Sequence, residues 1–179
     1  MKHQEYLLIV EEKTSSLNQE NLLFWDLWCL NYVYEKISNK EYQYYNDIKK
    51  SYFLLWDYHD KIITDINSLL QDESVKIILN FDNDDFEDLD EFDTEERAIQ
   101  EMITGLESIF LNLKEEYEVI YNAYENPINV IDVEIEGILI SKDNEDSIYL
   151  NEVKAQITLL DDLNSNIIDY KVKDRNIYR

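Results

Sequence analysis

Apolar residues recur along this chain mostly in steps of three and four, the signature of helices with one buried stripe. From Leu22 to Ile37 they cover most of the circumference (Leu22, Leu23, Phe24, Trp25, Leu27, Trp28, Leu30, Val33, Ile37), which predicts a central core helix. Ser16 with Gln19 forms a capping-box pattern ahead of it, and Ser38 with Glu41 repeats the pattern. A second stripe runs through Tyr42, Tyr45, Ile48, Tyr52, Leu55, Trp56, His59, Ile62, Ile63, Ile66, Leu69 and Leu70. Read as one helix of about 30 residues, it would be ~45 Å long. A third stripe, from Ile99 through Met102, Ile103, Leu106, Ile109, Phe110, Leu113, Tyr117, Ile120 and Tyr121 to Tyr124, follows Asp93 as a candidate cap, with Glu95 and Glu96 in its first turn. Asn126-Pro127 is the expected stop.

Beyond Pro127 the period changes. Ile131, Val133 and Ile135 alternate with Asp132, Glu134 and Glu136, which predicts a half-buried strand. Gly137 suggests a bulge, and Lys142 to Asp146 a turn. Residues 167–172 read as a further strand. Residues 4–11, 75–81 and 148–160 fit strand and helix about equally. The expected fold is therefore α+β: three long amphipathic helices with a small antiparallel C-terminal sheet. One domain is expected over 1–179, helical across 16–125 and β-rich across 128–173, since one domain of ~100–200 residues is the default for this length.

Composition sharpens this picture. Two glycines and one proline among 179 residues disfavour tight turns, and a Gly-rich phosphate loop is excluded. The apolar run near the start, Tyr6 to Val10, is too short for a secretory signal, and nothing approaches the ~20 apolar residues of a membrane span. The lone Cys29 cannot form an internal disulfide. A cytoplasmic protein is expected. The wealth of Asn, Ile, Lys, Tyr, Asp and Glu fits a low-GC bacterium or one of its phages.

Charge changes the functional reading most. The formal net charge is −24, and residues 81–136 contribute −17 of it, with 19 acids against Arg97 and Lys114. Within this stretch FDNDDFEDLDEFDTEE, residues 81–96, holds ten carboxylates and no base. Like charges at this density repel one another and favour a positive partner. The expected partner-binding residues are Asp82, Asp84, Asp85, Phe86, Glu87, Asp88, Leu89, Asp90, Glu91, Phe92, Asp93, Glu95, Glu96, Glu101 and Glu107. Phe86, Leu89 and Phe92 would supply apolar anchors, and the glutamates would continue the charge along the third helix.

Candidate chemistry is sparse. His59, between Asp57 and Asp60, lies on an apolar stripe and reads as a hydrogen-bonded core or boundary residue; Asp57 falls on nearly the opposite face. A calcium loop starting at Asp82 fails, because Phe86 occupies a ligand position and Glu87 the obligatory glycine. No Cys–His or Ser–His–Asp set can be assembled. No enzyme activity, cofactor or metal is expected. Direct nucleic-acid binding is disfavoured by repulsion and by a basic tail of only Lys171, Lys173, Arg175 and Arg179.

In charge, size and glycine poverty the chain resembles two groups of small inhibitors: immunity proteins that neutralise toxin nucleases, and phage DNA mimics that block restriction or CRISPR nucleases. That likeness implies a non-enzymatic inhibitor that occludes a basic, nucleic-acid-processing protein. The alternative is an acidic structural or assembly subunit whose apolar helix 22–37 packs on another chain.

Overall fold

The expected core helix forms, and the rest of the chain is built around it. In a computed structural model, residues 3–114, 121–137, 142–165 and 169–179 are described. Helix α2 (Gln19–Glu35) buries every residue from Phe24 to Asn31, because neighbours cover it on all sides. Helix α1 (His3–Ser15) precedes it, and α3 (Tyr45–His59), α4 (Ile66–Leu70), α5 (Glu73–Leu79), α6 (Thr94–Lys114), α7 (Glu125–Gly137) and α8 (Lys142–Ser165) follow. Short 3-10 turns occur at Asn83–Phe86 and Val172–Asp174. Helices α3, α6, α7 and α8 all pack on α2, while α1 lies on α8 and α5 against α3 and α6. Trp25, Trp28 and Trp56 are fully buried in one continuous apolar cluster that draws on all eight helices.

No strand occurs among the described residues, so the expected C-terminal sheet is overturned. Residues 131–135 lie within α7, where Ile128, Val130 and Ile131 are buried and Val133 and Ile135 half-buried. A broad buried helix face thus imitated strand alternation over five residues. Pro127 does not stop a helix; it occupies the third position of α7, where its missing N–H has no intrahelical partner to lose. Gly137 ends α7, and residues 142–146 form the first turn of α8, so neither is a bulge or a hairpin turn. Residues 148–160 are helical within α8, and 75–79 lie in α5. Of the expected strand 167–172, residues 167–168 lie outside the described residues and 169–171 carry no regular structure before the 3-10 turn.

The second long stripe is also divided. Lys61 adopts φ 64°, the Lys61 N–H bonds Tyr58 O at 3.2 Å, and the Ile62 N–H bonds Asp57 O at 2.8 Å. This is a Schellman stop with lysine where glycine is usual, at a conformational cost of ~1–2 kcal/mol. No glycine marks it in the sequence. The expected caps shift likewise. Asn18, not Ser16, caps α2 by accepting from the Asn21 N–H at 2.8 Å, while Ser16 closes α1. Ser38 belongs to a run of turns whose N–H and hydroxyl are held by Glu95 at 2.7 and 3.0 Å.

The C-terminal segment is folded back rather than free. The Trp28 indole N–H donates to Ile177 O at 2.9 Å, and the Arg179 guanidinium lies 3.4 Å over the Trp28 ring. Arg179 also donates to Trp28 O at 2.7 Å and to both carboxylate oxygens of Glu152, at 2.6 and 2.9 Å. The expected basic tail therefore spends its last arginine inside the molecule.

Candidate functional site

Local hydrogen bonds give the acidic tract a defined shape despite its charge. Asp82 caps the 3-10 turn, accepting from the Asp84 and Asp85 N–H groups at 2.9 and 3.3 Å, and Asp85 returns a bond to the Asp82 N–H at 2.9 Å. Asp90 accepts from the Phe92 N–H at 2.9 Å. Asp93 caps α6, accepting from the Glu95 and Glu96 N–H groups, both at 3.0 Å. Glu96 reaches back to the Asp90 N–H, not to the Asp93 N–H that a capping box would require. Glu95 holds the Ser38–Asn39 turn. Each bond offers an N–H dipole to a carboxylate, which offsets part of the self-repulsion.

The expected binding residues separate into three groups. Asp82, Asp84, Asp85, Glu87, Asp88, Asp90, Glu91 and Asp93 are exposed, forming a ridge of eight carboxylates over twelve residues. Four of them, Asp84, Glu87, Asp88 and Glu91, accept no hydrogen bond and meet no cation among the described residues. Phe92 stands beside them, 72% exposed. Phe86 and Leu89, in contrast, turn inward: both are half-buried against the core, and the Phe86 ring tilts onto Phe81 at 5.1 Å. They anchor the ridge and leave Phe92 as the presented apolar side chain. Glu95 and Glu96 are half-buried and occupied as caps.

The glutamates of α6 do not continue the ridge as expected. Glu101 is only 8% exposed. It pairs with Arg97 at 2.7 Å and accepts from the Asn126 and Asn129 amides at 2.7 and 3.1 Å. Burial raises its carboxyl above the usual range, against the lowering pull of Arg97 and the two amides. Glu107 is half-buried, and partial desolvation raises it too. Glu115 and Glu118 lie outside the described residues. On the strand-like segment, Glu134 is ion-paired with Lys36 at 2.9 Å. Among the described residues of 81–136, Glu101 and Glu134 are thus held in ion pairs, while Glu125, Asp132 and Glu136 stay exposed.

Among the described residues, no group of three or more His, Cys, Asp and Glu is placed to hold a metal ion, and no helix is long and apolar enough to cross a membrane. His59 is buried, with Nδ1 2.8 Å from Asp60 Oδ1. Asp60 in turn accepts from the Val172 N–H at 3.1 Å, tying the end of α3 to the C-terminal segment.

A second feature was not singled out by sequence. Asp26, on α2, is 8% exposed and makes no hydrogen bond or ion pair among the described residues. Desolvation pushes its carboxyl well above the usual range. It lines a cleft of about 420 Å³ between α2, α3 and the C-terminal part of α6. The available signal was one acid inside LLFWDLWCL, a run otherwise apolar on every face.

Comparison with protein families, curated proteins and solved structures gives no match, so function rests on the surface itself.

Proposed function

We propose that the protein is a non-enzymatic, cytoplasmic inhibitor that binds and occludes a basic, nucleic-acid-processing protein through the ridge at residues 82–93. One observation carries this reading: four exposed carboxylates, Asp84, Glu87, Asp88 and Glu91, stand without partners on a backbone held by caps, next to an exposed phenylalanine. Unpaired carboxylates at a protein surface strengthen the long-range field and accelerate association with a cationic surface. DNA presents one negative charge per ~1.7 Å of its axis, so a row of closely spaced carboxylates is a coarse substitute for phosphates. Phe92 would desolvate at the centre of such a contact, where aromatic anchors are most effective.

The ordering of the ridge supports the reading because binding need not also order the segment, a cost that weakens disordered ligands. The alternative, an assembly subunit joined through helix 22–37, would have less apolar surface to use, since Phe24 to Asn31 are buried against the chain's own helices. Nuclease inhibition is the direct test. Purified toxin, restriction and CRISPR-effector nucleases are each assayed with stoichiometric protein at rising salt. Inhibition of one of them that weakens steeply with salt is the expected result; the absence of inhibition at low salt across all three classes would remove this reading.

A further inference from the structure

Asp26 lies where a carboxylate is hardest to explain. It faces a cleft lined by Leu22, Leu23, Ile109 and Leu113 together with Gln19, Asn112, Tyr58 and Tyr121, and among the described residues it makes no hydrogen bond or ion pair. A carboxyl left with 8% exposure costs desolvation that an apolar residue in a helix this hydrophobic would not. The cleft is open to solvent at Leu22 and Gln19, and a shared wall of Gln19, Leu23, Tyr58 and Leu113 joins it to a second cleft of about 650 Å³. It lies toward the C-terminal end of α6, whereas the acidic ridge leads into the N-terminus of that helix.

We propose that this cleft is a binding site for a primary alkylammonium group, with Asp26 as its counter-ion. The group is the terminus of a free amine or of a lysine side chain, which present the same chemistry. Two features select it. A single carboxylate among leucines and tyrosines supplies far too few oxygens for calcium or magnesium. The leucine and isoleucine walls suit an aliphatic stem, while the carboxylate suits a compact cationic head. The overall charge of −24 would in addition concentrate cations and repel anions.

The test is titration of isotope-labelled full-length protein with n-butylammonium, followed by amide shifts of residues 22–29 and 109–113. Saturable shifts confined to the cleft are expected, with affinity at least tenfold weaker in Asp26→Asn. Leu22→Trp, which fills the rim without touching the carboxyl, should also abolish them and serves if Asp26→Asn is unstable. n-Butanol of the same chain length should bind at least tenfold more weakly. A blocked lysine peptide distinguishes the two sources: binding of the peptide points to a protein side chain, and binding of the free amine alone to a small molecule. Equal binding by Asp26→Asn, equal binding of n-butanol, or non-saturating shifts spread over residues 82–93 would overturn the proposal.

Discussion

Replacing Arg179 with alanine isolates the contact that closes the molecule. Arg179 gives two hydrogen bonds to the Glu152 carboxylate and one to Trp28 O, and its guanidinium lies over the Trp28 ring. Glu152 is 4% exposed, and after the substitution its remaining partner is the Gln156 amide at 3.0 Å. Removing one member of a buried pair typically costs ~3–5 kcal/mol, chiefly because the other charge is stranded. The Arg179 side chain keeps 13% exposure, so water can reach part of the vacated space and the lower end applies, about 3 kcal/mol. For a chain of this size each kcal/mol lowers Tm by ~2–4 °C, which gives a fall of about 6–12 °C. Thermal and urea unfolding at pH 7 measure it, in 0.15 M and in 1 M salt. Buried pairs are screened far less than surface pairs, so the loss should persist at high salt. Adding Glu152→Gln to Arg179→Ala should restore at least half of it, because the stranded charge is then gone. A loss below ~1 kcal/mol would refute the reasoning, since that is the worth of a surface ion pair. So would a loss that disappears in 1 M salt, or a double variant no more stable than Arg179→Ala.

Gly105 sits mid-helix in α6, where a Cβ would fall 2.5 Å from Leu30 Cδ2 and 2.8 Å from the Tyr121 oxygen. Gly105→Ala should therefore destabilise by up to ~2 kcal/mol in urea unfolding, overpacking of ~1–3 kcal/mol set against a ~1 kcal/mol gain in helix propensity; a net gain would mean the interface yields freely. The buried Asp26 carboxyl ionises well above its ordinary value of 3.8, so the folded state holds its proton more tightly than the unfolded chain. The stability this confers is full below that value and is lost as pH rises toward the folded pKa. Asp26→Asn should consequently gain on the native protein from pH 4 to pH 7 in denaturation curves, and a constant difference would contradict the assigned burial. Cys29 is 0% exposed and desolvation pushes its thiol up, so a disulfide reagent should label it only after unfolding; rapid labelling of the native protein would contradict its place in the core.

The helices most legible in the sequence were those whose apolar spacing was long. Residues 24–35 and 94–114 are examples; the cap of the first falls at Asn18 rather than Ser16, and the second is opened by Asp93 as expected. What misled was local and physical. Pro127 is compatible with both the end of one helix and the first turn of the next, and only the packing of Ile128, Val130 and Ile131 decides between them. The stop at Lys61 has no sequence marker, since a lysine holds the left-handed conformation that glycine usually signals. For the site, the run of exposed acids was readable, but charge alone cannot separate a carboxylate on the surface from one that is ion-paired inside. Glu134 answers to Lys36, a partner that only the fold brings near, whereas Glu101 answers to Arg97 four residues before it on the same helix, and its burial depends on Asn126 and Asn129 arriving from α7. Asp26 could have been flagged as an acid in an apolar segment, yet the cleft beside it depends on α3 and α6 meeting α2.

The central claim is that Asp84, Glu87, Asp88 and Glu91 bind a basic partner while playing no part in holding the fold. Changing all four to their amides leaves the caps at Asp82, Asp85, Asp90 and Asp93 intact, so the variant should fold as the native protein does, with slightly higher stability from reduced repulsion. The decisive measurement is the inhibition constant of this variant, beside the native protein, against a nuclease that the native protein inhibits. A loss of at least a hundredfold, with a shallower dependence on salt, is the expected result. Unchanged inhibition by a folded variant would place the binding surface elsewhere and contradict the claim.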